Sequence, residues 1–214
     1  MDRENFIRRN TAVAAPPLVP EIRLHLATEV TPIWQATEAV LERHGLPPPF
    51  WAFAWAGGQA LARYLLDHRG EVAGRDVLDF GSGSGIVAIA AKLAGAARVT
   101  AADLDPFAAT VITLNAALNG VAVAVTTADL LAEKAPFHDV VVAADVCYER
   151  PMARDVTEWL QRCAAEGSLV LLADPGRAYA PRSGLAERAR YQVPTSRELE
   201  DREVRETIVW QVLV

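Results

Sequence analysis

Arg75-Asp-Val-Leu-Asp79-Phe-Gly81-Ser-Gly83-Ser-Gly85-Ile-Val-Ala-Ile-Ala-Ala-Lys-Leu-Ala94 is the stretch that decides the fold. It starts as an apolar run of strand type, ends as a helical run, and carries glycine at alternate positions between them. A glycine turn that joins a strand to a helix lets backbone N–H groups approach a ligand. Glycines alone also suit an ordinary tight turn. Arg98-Val-Thr-Ala-Ala-Asp103 narrows the choice, because it reads as the next strand and ends in a carboxylate. An acid at the end of the second strand is placed to take both hydroxyls of a ribose.

Outward from this unit the pattern alternates. Strands are expected at 76–80, 97–102, 121–127, 138–144 and 168–173, with helices near 84–94, 106–119 and 151–165. Such alternation implies a parallel sheet with helices on both faces and all strand C-termini on one edge. Asp79, Asp103, Asp129 and Asp145 fall at or just past strand ends, so the fold is expected to gather them where open α/β sheets bind ligands. Arg190-Tyr-Gln-Val193 and the run from Glu206 to Val214 read as two more strands. The short charged link Arg197-Glu-Leu-Glu-Asp-Arg-Glu203 favours an antiparallel pair. Residues 1–70 read as a helical lead-in packed on the core, and residues 71–214 as the main domain of one structural unit. Within the lead-in, Pro20-Glu-Ile-Arg-Leu-His-Leu-Ala27 suits a short strand or helix. A helix from Pro32 to His44 has Thr31 as its cap and Gly45 past its end, Pro47-Pro-Pro49 is a stiff connector, and Gly57 opens another helix.

Composition bounds the function. A chain of 214 residues with 51% hydrophobic and 22% charged residues can bury a core. Its net charge of −6 argues against a nucleic-acid groove and is compatible with a basic protein substrate. No run is long and apolar enough to span a bilayer, and the acidic start Met1-Asp-Arg-Glu argues against a signal peptide. Cys147 and Cys163 form no metal or disulfide spacing, so a reducing compartment is expected, and the abundance of Ala, Arg and Val suggests a bacterial cytoplasmic protein. The histidines are scattered and no metal site is expected.

The glycine spacing is G-x-G-x-G, not the G-x-G-x-x-G of nicotinamide dinucleotide folds. Asp79 stands two residues before the first glycine, where an acid would repel a pyrophosphate but suits a cationic amino-acid head. S-adenosylmethionine carries such an amine. The chain therefore resembles the class I S-adenosylmethionine-dependent methyltransferases. The resemblance implies a Rossmann-like, doubly wound, mostly parallel seven-stranded α/β sheet ending in an antiparallel hairpin. In that frame Gly81, Ser82, Gly83 and Gly85 form the cofactor turn, and Asp103 holds the ribose. Asp129 is either an acceptor for the adenine amino group, with Leu130 on the ring, or a turn residue. Asp105 reads as a helix cap. Asn115 and Asn119 lie one turn apart and read as a solvated face. Trp55 is either core or part of the cofactor pocket.

Asp145-Val-Cys147-Tyr148-Glu149 follows the fourth strand. It lacks the Pro-Pro of amino methyltransferases that grip a planar NH₂ group. An acid and a tyrosine three residues apart suit a lysine amine, with Asp145 orienting it and Tyr148 lining its channel. The Asp145-x-x-Tyr148 pattern resembles the seven-β-strand protein-lysine methyltransferases, and most of all those acting on the electron-transfer flavoprotein β-subunit. The segments that carry the likeness include Pro49-Phe-Trp-Ala-Phe-Ala-Trp55-Ala-Gly-Gly58, Ala102-Asp-Leu-Asp-Pro106 and Asp174-Pro-Gly-Arg177. The resemblance implies S-adenosylmethionine as cofactor, Ala144 beside its sulfonium, and that β-subunit as protein partner. Related lysine enzymes often carry Trp where this chain has Leu130. Ribosomal-protein and small-molecule methylation are the neighbouring alternatives, and a non-catalytic binding module is the alternative of a different class.

Overall fold

The computed structural model describes residues 2–28, 32–35, 48–132 and 137–214. Its centre is a seven-stranded sheet. The strands are β3 (Asp76–Phe80), β4 (Arg98–Ala102), β5 (Ala124–Thr126), β6 (Val140–Ala144), β7 (Leu169–Asp174), β8 (Leu185–Pro194) and β9 (Val204–Val212). They lie in the order β5-β4-β3-β6-β7-β9-β8. The first five in that order run parallel, while β9 pairs antiparallel with both β7 and β8. The sheet is therefore the expected one. Strand β8 begins five residues ahead of the expected Arg190, at Leu185.

Burial on both faces explains the sequence of β6. Val140 and Val142 enter one core cluster, and Val141 and Ala143 the other. A strand covered on both sides has no reason to alternate apolar with polar residues. One cluster packs the sheet against α3 (Ala56–Asp67), α4 (Ile86–Leu93) and α5 (Pro106–Leu118). The other packs it against α6 (Arg150–Ala165), through Val156, Trp159 and Leu160. Strand order reverses beside β3, since β4 and β5 lie to one side and β6 to the other. The strand ends of β3, β4 and β6 consequently face a crevice, the usual ligand position in such sheets.

The lead-in, expected to be mainly helical, also contains strands. Helix α1 (Arg3–Asn10) is followed by a two-stranded antiparallel sheet of β1 (Ala12–Ala14) and β2 (Leu24–Leu26). The Pro20–Ala27 run thus takes its strand option, with Leu24 and His25 buried. Of the helix expected from Pro32 to His44, only the turn α2 (Pro32–Gln35) is described. Its expected ends at Thr31 and Gly45, and the start of the proline connector at Pro47, lie outside the described residues.

Asn115 and Asn119 are not a solvated face. Asn115 is fully buried, accepts the His25 N–H at 2.8 Å and donates to the Ser84 carbonyl at 2.8 Å. Asn119 exchanges hydrogen bonds with the Arg23 backbone at 2.9 and 2.7 Å. The two side chains dock β2 on α5, a role helical spacing cannot reveal because the partners are distant in sequence. Truncating Asn115 leaves a buried N–H and a buried C=O unpaired, at about 1–3 kcal/mol. Asn115→Ala is expected to lower the unfolding free energy by that amount, read as a lower urea midpoint at unchanged slope. An unchanged midpoint would show that the lead-in is not held this way.

Candidate active site

The crevice opens into a cavity of about 420 Å³. Its floor is the glycine turn and the ends of β3 and β4, contributed by Phe80, Gly81, Gly83 and Ala102. Gly81 needs its hydrogen, since it sits at φ +65° and a Cβ there would come within 2.9 Å of Val146. Asp103 stands at the end of β4 and accepts the N–H groups of Gly83 at 2.8 Å and Asp105 at 3.0 Å. Burial nonetheless raises its pKa, those two donors opposing the shift. Asp105 caps α5 as expected, accepting the Phe107 N–H at 2.8 Å, and also forms part of the wall. Asp129 caps the turn after β5 through the N–H of Leu131 at 3.0 Å, while lining the cavity together with Leu130. The turn role of Asp129 and its place in the wall thus coexist.

Three of the expected cofactor residues stand behind the cavity wall. Asp79, Ser82 and Gly85 do not line the cavity. Asp79 is 1% exposed, accepts the Ser82 hydroxyl at 2.6 Å and the Ala88 N–H at 3.0 Å, and so braces the turn from behind. Burial pushes its pKa up to about 7, with the Asp103 charge adding to the shift and both hydrogen bonds opposing it.

The opposite wall is made after β6. Ala144, Asp145, Val146 and Tyr148 all line the cavity. Asp145 takes a left-handed conformation at φ 57°, tolerable for aspartate but still costly by about 1–2 kcal/mol. Three contacts fix it. Its N–H donates to the Ala173 carbonyl at 3.1 Å, and its carboxylate accepts the Gly58 N–H at 2.9 Å and the Arg177 guanidinium at 2.7 Å. Burial raises the Asp145 pKa to about 6, with Arg177 opposing and the nearby Glu200 adding. Its carboxylate is therefore mostly ionised at neutral pH. Gly57, at the start of α3, makes room for it, since a Cβ there would lie 2.5 Å from Asp145 Oδ2.

Aromatic side chains rim this end. Tyr148 and Phe50 have ring centres 5.5 Å apart, and Phe50 and Trp55 6.2 Å apart. Trp55 caps α3, donates its indole N–H to the Phe50 carbonyl at 2.9 Å and carries the Arg177 guanidinium over its ring at 5.7 Å. Of the expected site residues, Trp55, Gly81, Gly83, Asp103, Asp129, Leu130, Ala144, Asp145 and Tyr148 thus surround one cavity. Phe50, Trp51 and Arg177 join them without having been assigned a role from sequence. Arg177 ends the Asp174-Pro-Gly-Arg177 segment, which was a legible signal. Buried Glu200, beside it, lies in the charged link between the last two strands, where its spacing carries no sign of burial. The described residues contain no cluster able to hold a metal.

A mainly apolar cavity with a half-buried carboxylate at a strand end and backbone-lined glycines fits a nucleoside attached to a cationic amino acid. Solved structures share this fold. The magnesium protoporphyrin IX methyltransferase of Synechocystis PCC 6803 with bound SAM aligns at a TM-score of 0.55 and 17% identity, over 87% of this chain and all of that one. The ribosomal protein L11 methylase of Lactobacillus delbrueckii subsp. bulgaricus aligns at 0.53 and 22%, over 76% of this chain and 81% of that one. These likenesses show the class I methyltransferase fold. Residues 59–178 match the family model described as ribosomal protein L11 methyltransferase (PrmA). Two relatives are named electron transfer flavoprotein beta subunit lysine methyltransferase. The Danio rerio protein is 38% identical over 98% of this chain and 83% of its own length, and the Homo sapiens protein 42% over 80% and 66%. The chain belongs to that lysine methyltransferase family and is a protein-lysine N-methyltransferase.

Two substitutions separate the ends of the cavity. Asp103→Asn is expected to weaken S-adenosylhomocysteine binding roughly tenfold or more, the value of a charged acceptor lost from a ligand. Calorimetric titration checks this, and unaltered affinity would remove Asp103 from the cofactor wall. Gly57→Ala is expected to displace the Asp145 carboxylate and cut turnover by about 10²-fold, with cofactor affinity unchanged. Wild-type turnover in that variant would show that Asp145 is not held by this contact.

Proposed function

We propose that this enzyme methylates the Nε of lysine in an electron-transfer flavoprotein β-subunit, with Asp145 orienting the amine. The observation that carries the proposal is the joining of two unlike ends in one cavity, with Asp103 and the glycines at one and Asp145 under an aromatic rim at the other. The substrate comes from the relatives, which are named for that subunit. The family model named for ribosomal protein L11 supplies the competing substrate. The net charge of −6 is compatible with an approaching lysine-bearing surface.

In this proposal Asp103 would hold the ribose, Gly81 and Gly83 the amino-acid moiety, and Asp129 and Leu130 the adenine. Asp79, Ser82 and Gly85 shape the turn that presents those groups. Ala144 would lie beside the sulfonium. When bound, S-adenosylmethionine supplies a methyl group on a sulfonium, so that the amine lone pair forms the new C–N bond as the C–S bond breaks toward sulfur. Phe50, Trp55 and Tyr148 line the approach for the alkyl chain of lysine, and the Asp145 carboxylate accepts an N–H of the amine. Burial raises the Tyr148 pKa, so its hydroxyl stays protonated and acts as a neutral liner rather than a base. Most of the acceleration comes from alignment.

A reducing bacterial cytoplasm is part of the proposal. Its support is that Cys147 and Cys163 are free, and that no described helix is long and apolar enough to cross a membrane.

Intact-mass analysis of a recombinant β-subunit incubated with enzyme and S-adenosylmethionine tests the reading, with ribosomal protein L11 in parallel. Methyl increments on the β-subunit alone, abolished by Asp145→Ala while cofactor still binds, are the expected result. Increments on L11 alone would transfer the activity to ribosomal protein. Loss of cofactor binding in Asp145→Ala would make Asp145 a cofactor ligand.

A further inference from the structure

Arg177 is the one cation in the cavity wall among the described residues. Its guanidinium reaches Asp145 Oδ1 at 2.7 Å and Glu200 Oε1 at 3.2 Å. Glu200, from the short helix α7 (Arg197–Glu200), is 3% exposed and is itself fixed. It accepts the Ala56 N–H at 3.3 Å at the start of α3 and lies 3.4 Å from the Arg205 guanidinium of β9. The guanidinium is thus held from two elements and covered by the Trp55 ring. The charged and titratable groups around Asp145 are Arg177 and Glu200, with Asp174 from β7 and Cys147 and Tyr148 from its own loop. Burial lifts the Cys147 thiol to about 12, so it carries no charge here.

An acceptor that arrives as an ammonium would sit beside a guanidinium already paired with the same carboxylate. A like charge at this range disfavours the second cation. A neutral amine meets no such penalty. It can donate one N–H to a remaining lone pair of Asp145 and keep its own lone pair for the methyl group. The geometry points to Arg177, fixed by Glu200, as a positioning residue that makes the site take the acceptor as neutral amine. This rests on the lysine reading above. The proton leaves the ammonium for solvent on entry, and the methylated product regains the positive charge.

The role differs from that of a mere brace in its pH signature. Turnover on the β-subunit is to be measured from about pH 6.5 to about pH 10.5 for the wild type, Arg177→Lys and Arg177→Gln. The wild type is expected to reach half its maximal rate well below the free-lysine pKa of about 10.4. Arg177→Gln removes the competing cation and is expected to move that midpoint up by about one unit, on top of a loss shared by every pH that comes from freeing the Asp145 carboxylate. Arg177→Lys keeps the charge and is expected to keep the wild-type midpoint. A calorimetric readout independent of turnover accompanies this. Binding of the β-subunit to the enzyme saturated with S-adenosylhomocysteine, compared in buffers of different ionisation enthalpy near pH 7.5, is expected to release about one proton with the wild type and clearly less with Arg177→Gln. Cofactor affinity within about threefold in all three proteins shows that the fold is kept. A loss in Arg177→Gln equal at every pH, a midpoint that does not move, or no proton release from the wild type would overturn the inference. A wild type that binds cofactor but methylates neither the β-subunit nor L11 would instead overturn the lysine reading beneath it.

Discussion

The left-handed turn at Asp145 is the constraint around which the site is built. Strand β6 ends one residue earlier, and a continuing extended chain would carry the acid away from the crevice. The turn instead directs the carboxylate at the N-terminal end of α3, where Gly58 donates its N–H and Gly57 leaves the space. A helix N-terminus favours a negative charge, so α3 stabilises the conformation that β6 alone would not adopt. Arg177 closes the arrangement from the loop after β7. A strained residue held from three directions, at the wall of the main cavity, is the pattern expected where geometry serves chemistry.

That constraint also links distant parts of the chain. Glu200 ties the C-terminal hairpin to the start of α3, and Arg177 ties both to β6. The aromatic rim depends on the same contacts, since Trp55 caps α3 and lies under the guanidinium. Carboxylates with raised pKa values recur around the turn and cavity, at buried Asp79 and half-buried Asp103 and Asp145, and desolvation is the largest cause in each. Their environments differ in what opposes it. Asp79 and Asp103 face hydroxyl or backbone donors, whereas Asp145 faces a guanidinium. The acid at the acceptor end is therefore the one whose charge is already spoken for.

Much of this was legible in sequence because it is local. Strand, glycine turn and helix are contiguous, the acid of Asp103 ends the next strand, and both fold and cavity follow from that period. Asp145 and Tyr148 were readable for the same reason. What escaped was carried by long-range contacts. Asn115 meets His25 across 90 positions and Glu200 meets Ala56 across 144, so neither pairing leaves a trace in spacing. Asp79 stands behind the turn for a subtler reason. A strand-end acid can face the ligand or the turn beneath it, and only the Ser82 and Ala88 hydrogen bonds decide which.

The central claim is that one cavity seats the cofactor at Asp103 and presents its reactive end to Asp145. A crystal structure of the enzyme with S-adenosylhomocysteine tests this most directly. The account requires the ribose hydroxyls within hydrogen-bond distance of Asp103 and the sulfur facing the Asp145–Tyr148 end, with the Arg177–Asp145 pair intact. A ribose held by Asp145, or a sulfur turned away from the aromatic rim, would contradict it.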